Sequence, residues 1–192
     1  MDTDEKYGIN REEAIELLNT YIKNPNMLKH CYASEAVMGA LAKKFGEDEE
    51  KWALAGLLHD LDVEIVNADL SVHGLKTVEI LTEKGVDPEI IDAIKMHNEE
   101  AHGDKRNTRF QYALACGETV TGLIVATTLV YPDKKIASVK AKSVVKRMKE
   151  KAFARSVDRD IIRECGKIGM ELNDFCQLAL DAIQEIAEEL GL

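Results

Sequence analysis

Wherever this sequence is rich in apolar residues they recur at intervals of three and four, and no segment shows the strict apolar-polar alternation of a half-buried strand. Ala14, Leu17, Leu18, Tyr21 and Ile22 form the first such set, and Leu28, Cys31, Met38, Leu41, Ala42 and Phe45 the second. A third runs from about Asp48 to Asp60 and is apolar nearly all round in its second half, so it belongs in the middle of the molecule. Leu75, Val78 and Leu81, then Ile90, Ile91 and Ile94, mark two short helices before a long apolar segment from about Phe110 to Tyr131. Ile161, Ile162 and Cys165 precede a last helix from Leu172 to Leu190. Faces with this period are buried helix against helix, so the expected fold class is all-α, a helical bundle. At 192 residues one domain with a real core is expected.

Start and stop signals agree with these spans. Asn10 with Glu13, Asn24 before Pro25 and Asp87 before Pro88 are helix-start pairs, while Gly46, Lys84-Gly85, Pro132 and Gly191 are stops. Residues 1 to about 9 are polar and expected to fray, and Asn98 to Asn107 is expected to be a polar loop with His102 on its surface. Val63 to Val72 reads as a looser connection. Gly56 inside the third helix costs about 1 kcal/mol against alanine, which predicts a neighbouring helix packed too close for a side chain.

Composition narrows the function. The start Met1-Asp2-Thr3-Asp4-Glu5 is acidic and leads into no apolar block, and no apolar run approaches the roughly 20 residues of a membrane span, so no secretion, no membrane and a cytoplasmic address are expected. Cys31, Cys116, Cys165 and Cys176 show no C-x-x-C pairing and read as small buried hydrophobes in a reducing compartment. A net charge of −10 argues against a nucleic-acid polymer as partner. Against that background the segment beyond Pro132 stands out, because Lys134, Lys135, Lys140, Lys142, Lys146, Arg147, Lys149, Lys151, Arg155 and Arg159 face only Asp133 and Glu150 before Asp158.

The chemistry-bearing stretch is Leu57-Leu58-His59-Asp60-Leu61-Asp62, where an apolar helix runs straight into an imidazole and a carboxylate. Such groups pack poorly at the edge of a core but ligate a borderline divalent cation well. Neighbours on a helix splay by about 100°, so one atom serves both only if it lies between them. His30, His73, His97 and Glu118, the last an acid in an otherwise apolar helix, are the further candidates.

The order His30, His59-Asp60, His73, His97, Glu118 resembles the HD-domain metal-dependent phosphohydrolase superfamily. The runs His30-Cys31-Tyr32, Trp52 to Asp62, His73-Gly74, Ile94 to Glu99 and Thr121 to Ile124 are similar to small bacterial HDIG-type proteins, as is the tail from Phe153 to Leu192. The resemblance implies a single HD-type domain over 1–192, with a metal-binding core at about 24–131 and a helical extension at about 133–192. It implies one or two divalent ions, iron or manganese favoured over zinc, cobalt, nickel or magnesium. His30, His59, Asp60 and Glu118 would hold one ion, Asp60 would bridge, and His73 and His97 would hold a second. The implied activity is hydrolysis of a small phosphate ester, a nucleotide among the candidates, with His59 and Asp60 at the reaction centre. Two departures stand out: Glu118 replaces the usual aspartate, and Asp62-Val63-Glu64 occupies a position where a lysine is common. Lys76, one turn past His73, or the group Lys149, Lys151, Arg155 and Arg159 is expected to meet the phosphate instead. The alternative reading is a catalytically silent nucleotide-binding regulatory module, and a minor third is an iron-dependent oxygenase.

Overall fold

Short polar side chains start most of the helices, and they do so where the backbone amides would otherwise lack acceptors. In the computed structural model, which describes residues 6–192, ten α-helices follow one another and no strand occurs among the described residues. Asn10 and Glu13 form a reciprocal capping box on α1 (Arg11–Tyr21), and Asn24 caps α2 (Pro25–Phe45), which stops in a left-handed turn at Gly46. Asp48 caps α3 (Glu49–Leu58). The helix α4 (Leu75–Glu83) follows Gly74, at φ +94°, and has no cap from its own N-cap residue. Asp87 caps α5 (Pro88–His97), and a Thr108–Gln111 capping box opens α6 (Arg109–Leu129). The chain then forms α7 (Ala141–Arg147), α8 (Arg159–Arg163), α9 (Leu172–Glu185) and α10 (Ala187–Leu190), with short 3-10 turns at Glu99–Ala101, Ile136–Ser138 and Glu164–Ile168.

The axis of the bundle is α6, which packs against α2, α3, α5, α7, α8 and α9. Its length and composition alone are those of a membrane span, contrary to the sequence expectation, but Leu114, Val120, Leu123 and Ile124 on it are fully buried in the protein's own core. Trp52 of α3 stacks on Phe110 of α6, with ring centroids 4.9 Å apart and planes within 9°. The close neighbour predicted for Gly56 is α2: a Cβ there would stand 2.5 Å from the Ser34 carbonyl oxygen. One apolar core joins residues from Tyr7 to Leu190, and all four cysteines lie buried in it as free thiols.

Three expectations need correction. Fraying was expected for residues 1 to about 9; residues 1–5 lie outside the described residues, but Tyr7 and Ile9 are buried and the Tyr7 carbonyl accepts from the Asp87 N–H at 2.9 Å. The last helix is not continuous to Leu190, because the backbone leaves helical geometry at Ile186 (φ −110°, ψ 18°) and restarts as α10. His102 is half-buried rather than free on the surface: its Nε2–H donates to the Lys95 carbonyl at 3.0 Å and its Nδ1 accepts from the Asp104 N–H at 3.1 Å.

Candidate metal centre

His59 and Asp60 follow directly on the last turn of α3, where the chain leaves the helix and bends through a series of turns to His73. His30 sits in the second turn of α2, and His97 closes α5. All four imidazoles are oriented the same way. His59 Nδ1–H donates to the Gly56 carbonyl at 2.8 Å and His97 Nδ1–H to the Ile94 carbonyl at 2.5 Å, each three residues back along its own helix. His73 Nδ1–H donates to Asp62 Oδ1 at 2.7 Å. His30 Nδ1–H donates to the Thr121 hydroxyl at 2.9 Å, and that hydroxyl is set as an acceptor because it gives its own proton to the Glu118 carbonyl at 2.7 Å. With every Nδ1 committed as donor, the neutral form of each ring carries its lone pair on Nε2, and all four Nε2 atoms are turned inward.

They meet around Asp60. The Nε2 atoms of His30 and His59 are 3.1 Å apart, and those of His73 and His97 are 3.0 Å apart. Asp60 Oδ1 lies 3.3 Å from His59, 3.0 Å from His73 and 3.6 Å from His97, while Oδ2 lies 3.4 Å from His30. Facing lone pairs at such distances repel unless a cation or a proton stands between them. The donor set therefore fits a metal, and it fits as two groups, His30-His59-Asp60 and Asp60-His73-His97, that share one carboxylate.

The electrostatics agree. Burial opposes charge on His73, but its hydrogen bonds to Asp60 and Asp62 outweigh this and carry its pKa up to about 10. Burial likewise opposes charge on His59, and the Asp60 carboxylate beside it raises the imidazole above its ordinary value. For Asp60 burial works upward, yet the surrounding imidazoles, His59 foremost, hold it well below the usual carboxylate range. The pocket thus carries a field that favours positive charge at its centre.

Asp62 is the residue the sequence reading undervalued. It is wholly buried, and besides His73 it accepts N–H groups from Gly74 at 2.8 Å, Lys76 at 3.0 Å and Thr77 at 3.2 Å. One carboxylate therefore caps α4, explaining the missing local cap, and fixes the ring of a candidate ligand. Burial pushes the Asp62 pKa up, but His73 and these amides bring it below the ordinary value. Glu64, the other acid at that point, faces α2 and accepts the N–H groups of Lys23 and Asn24.

A protein-family model described as HD domain matches residues 27–125, more than half of the chain and the span that carries every candidate ligand. The chain belongs to the HD domain family. Among curated proteins, this HD domain chain is similar to Ribonuclease Y of Mycoplasma mycoides, 36% identical over 75 residues, which are 39% of the chain and 18% of that protein. Ribonuclease Y of Bacillus thuringiensis (strain Al Hakam) is 35% identical over 83 residues, 43% of the chain and 15% of the relative. The chain thus spans less than a fifth of the length of these relatives. No solved structure matches it.

Around the HD centre a cleft of about 570 Å³ opens, bounded by His30, Asp60, His73 and His97 on its floor and by Glu118 and Asp158 on its walls. Glu118 stands outside the two tight groups: Oε2 is 3.7 Å from His30 Nε2, and Oε1 accepts from the Thr119 hydroxyl. The cations expected from sequence lie elsewhere. Lys76 pairs with Glu79 at 2.6 Å and does not line the cleft. Lys149, Lys151 and Arg155 are exposed and do not line it either. Arg159 spends its guanidinium on the carbonyls of Phe153, Ala154 and Val157, which fixes the loop that forms one cleft wall. The cleft's own cations are Lys105, paired with Glu99 at 2.7 Å, and Arg106. Arg106 is buried, donating to Glu164 at 2.8 and 3.0 Å and to the carbonyls of Met96 and His97 at 2.8 and 3.2 Å. Nothing in a polar loop sequence distinguishes it from a solvated arginine.

Proposed function

We propose that this HD domain protein is a metal-dependent phosphohydrolase acting on a small phosphate ester, a nucleotide among the candidates. The observation that carries the reading is the convergence of four imidazole Nε2 atoms on one shared carboxylate. Divalent ions held there would supply electrostatic stabilisation of phosphoryl oxygens and a water acidified toward neutral pH. Mixed imidazole and carboxylate donors suit iron or manganese, with zinc, cobalt or nickel also accommodated.

The chain's own part is orientation. Gly56, Ile94, Asp62 and Thr121 hold the four rings in one tautomer each, so little reorganisation is needed when ligands are engaged. Lys105, which lines the cleft paired with Glu99, would supply a cation to a bound ester in the role given from sequence to Lys76 or the basic segment. In hydrolysis the P–O bond to the organic group breaks and one to the water oxygen forms. One water proton goes to the leaving alkoxide and the other stays on the phosphate. The name of the Ribonuclease Y relatives makes RNA the other substrate to try, but the net charge of −10 and the acids Glu99, Glu100, Glu118 and Asp158 along the cleft favour a small ester over a long polyanion. Four cysteines kept as buried thiols suit a reducing compartment such as the cytoplasm.

The test is phosphate release from a panel of phosphomonoesters and nucleotides with manganese, iron, cobalt or zinc added. Metal-dependent turnover by the wild type and its loss in Asp60→Ala are expected. No metal-dependent turnover of any ester, or full activity in Asp60→Ala, would refute the reading.

A further inference from the structure

A second cavity, of about 430 Å³, lies against the same centre, and its walls differ in kind from those of the cleft. Val125, Ala126 and Leu129 of α6 face Leu190 and Leu192, Asn26 and Lys29 of α2 form a polar edge, and of the candidate ligands only His30 lines it. His30 and Gly122 line both cavities, so the two spaces meet at the edge of the metal centre. Gly122 sits at that junction with Val157 packed close against it: a Cβ there would stand 3.2 Å from Val157 Cγ2 on the cleft side. Leu129 is 52% exposed, so the chain's own packing does not cover this apolar wall.

A concave apolar surface beside a polar reaction centre gains most when an apolar group fills it. We infer that this cavity receives the organic part of the substrate, so that the preferred substrates are phosphate monoesters of apolar alkyl or aryl alcohols. The phosphoryl group then lies at the His30 end, in the cleft, and the hydrocarbon passes Gly122 to lie along Val125 and Ala126. The inference rests on the phosphohydrolase reading, and the two can fail separately.

Ethylphosphonate and hexylphosphonate share an anionic head that is not hydrolysed, and they differ by four methylenes. Each buried methylene strengthens binding about fourfold, so even partial burial of the chain should make hexylphosphonate at least about tenfold tighter. Calorimetric titration of the manganese-loaded full chain should show that preference, and Ala126→Phe, which fills the cavity, should reduce the ratio to near one. Leu129→Ser, at an exposed position, should lower the ratio as well and serves if the phenylalanine variant does not fold. Equal affinities in the wild type, or no binding of either compound, would overturn the inference. Turnover of ethyl and hexyl phosphate, whose leaving alcohols are nearly equal in acidity, tests the enzyme reading independently. Turnover without chain-length preference leaves that reading standing and removes this one.

Discussion

Asp62 shows how much a single side chain can decide. Its carboxylate holds the His73 Nδ1–H while capping α4, so replacing it with asparagine preserves shape and removes charge. Asp62→Asn is expected to weaken metal binding at the Asp60-His73-His97 group by about 10- to 100-fold, with less effect on the His30 group, in a competitive chelator titration. The candidate ligands themselves were legible in the sequence because histidine is scarce, five in 192 residues, and four of them fall in the order of the HD family. Asp62, Thr121 and Arg106 were not, because their importance comes from what they touch across 11, 91 and 58 residues of chain. Asp62 in particular was read as the absence of a lysine, when a carboxylate at that point serves a different purpose.

At the scale of elements, caps and periodicity were a sound guide, since Asn10, Asn24, Asp48, Asp87 and Thr108 act locally on amides one turn away. Asp87 does more: its carboxylate caps α5, the helix that ends in His97, and takes Lys51 of α3 at 3.1 Å. Burial pushes its pKa up, but Lys51 and the amides of Glu89 and Ile90 bring it below the ordinary 3.8. A carboxylate depressed in the folded state stabilises it at neutral pH, and that contribution is lost as pH falls through the folded-state value. Asp87→Asn keeps a capping oxygen and should cost up to about 1 kcal/mol at pH 7, with the deficit shrinking below pH 3.8, in urea unfolding at both pH values. A deficit that does not change with pH would show that the charge is not its source. What periodicity could not reveal was the break at Ile186, because apolar spacing continues across it into α10.

Over the whole molecule the helices that carry the candidate ligands and the C-terminal segment share one core, and a charge pair of buried Arg106 and half-buried Glu164 joins them. Arg106 links the end of α5 to Glu164, so removing that acid leaves the buried guanidinium with only the more distant Glu99 carboxylate at 3.6 Å. Glu164→Ala should destabilise the protein by about 3 kcal/mol in denaturant unfolding, whereas a loss under about 1 kcal/mol would mean that Glu99 and the Met96 and His97 carbonyls suffice. The charge distribution of the whole chain was the least legible property. The basic run from Lys134 to Arg159 is conspicuous in sequence, yet its side chains face solvent, fasten backbone or, for Arg147, pair with Glu150 over the Phe153 ring, because helix direction decides where a long cation ends up. The most direct test of the shared-carboxylate centre is native mass spectrometry after loading with manganese and desalting. Two ions per wild-type chain and none in Asp60→Ala are predicted from the two groups that meet at that residue. A wild type that holds no ion, or an Asp60→Ala variant that holds both, would contradict the account.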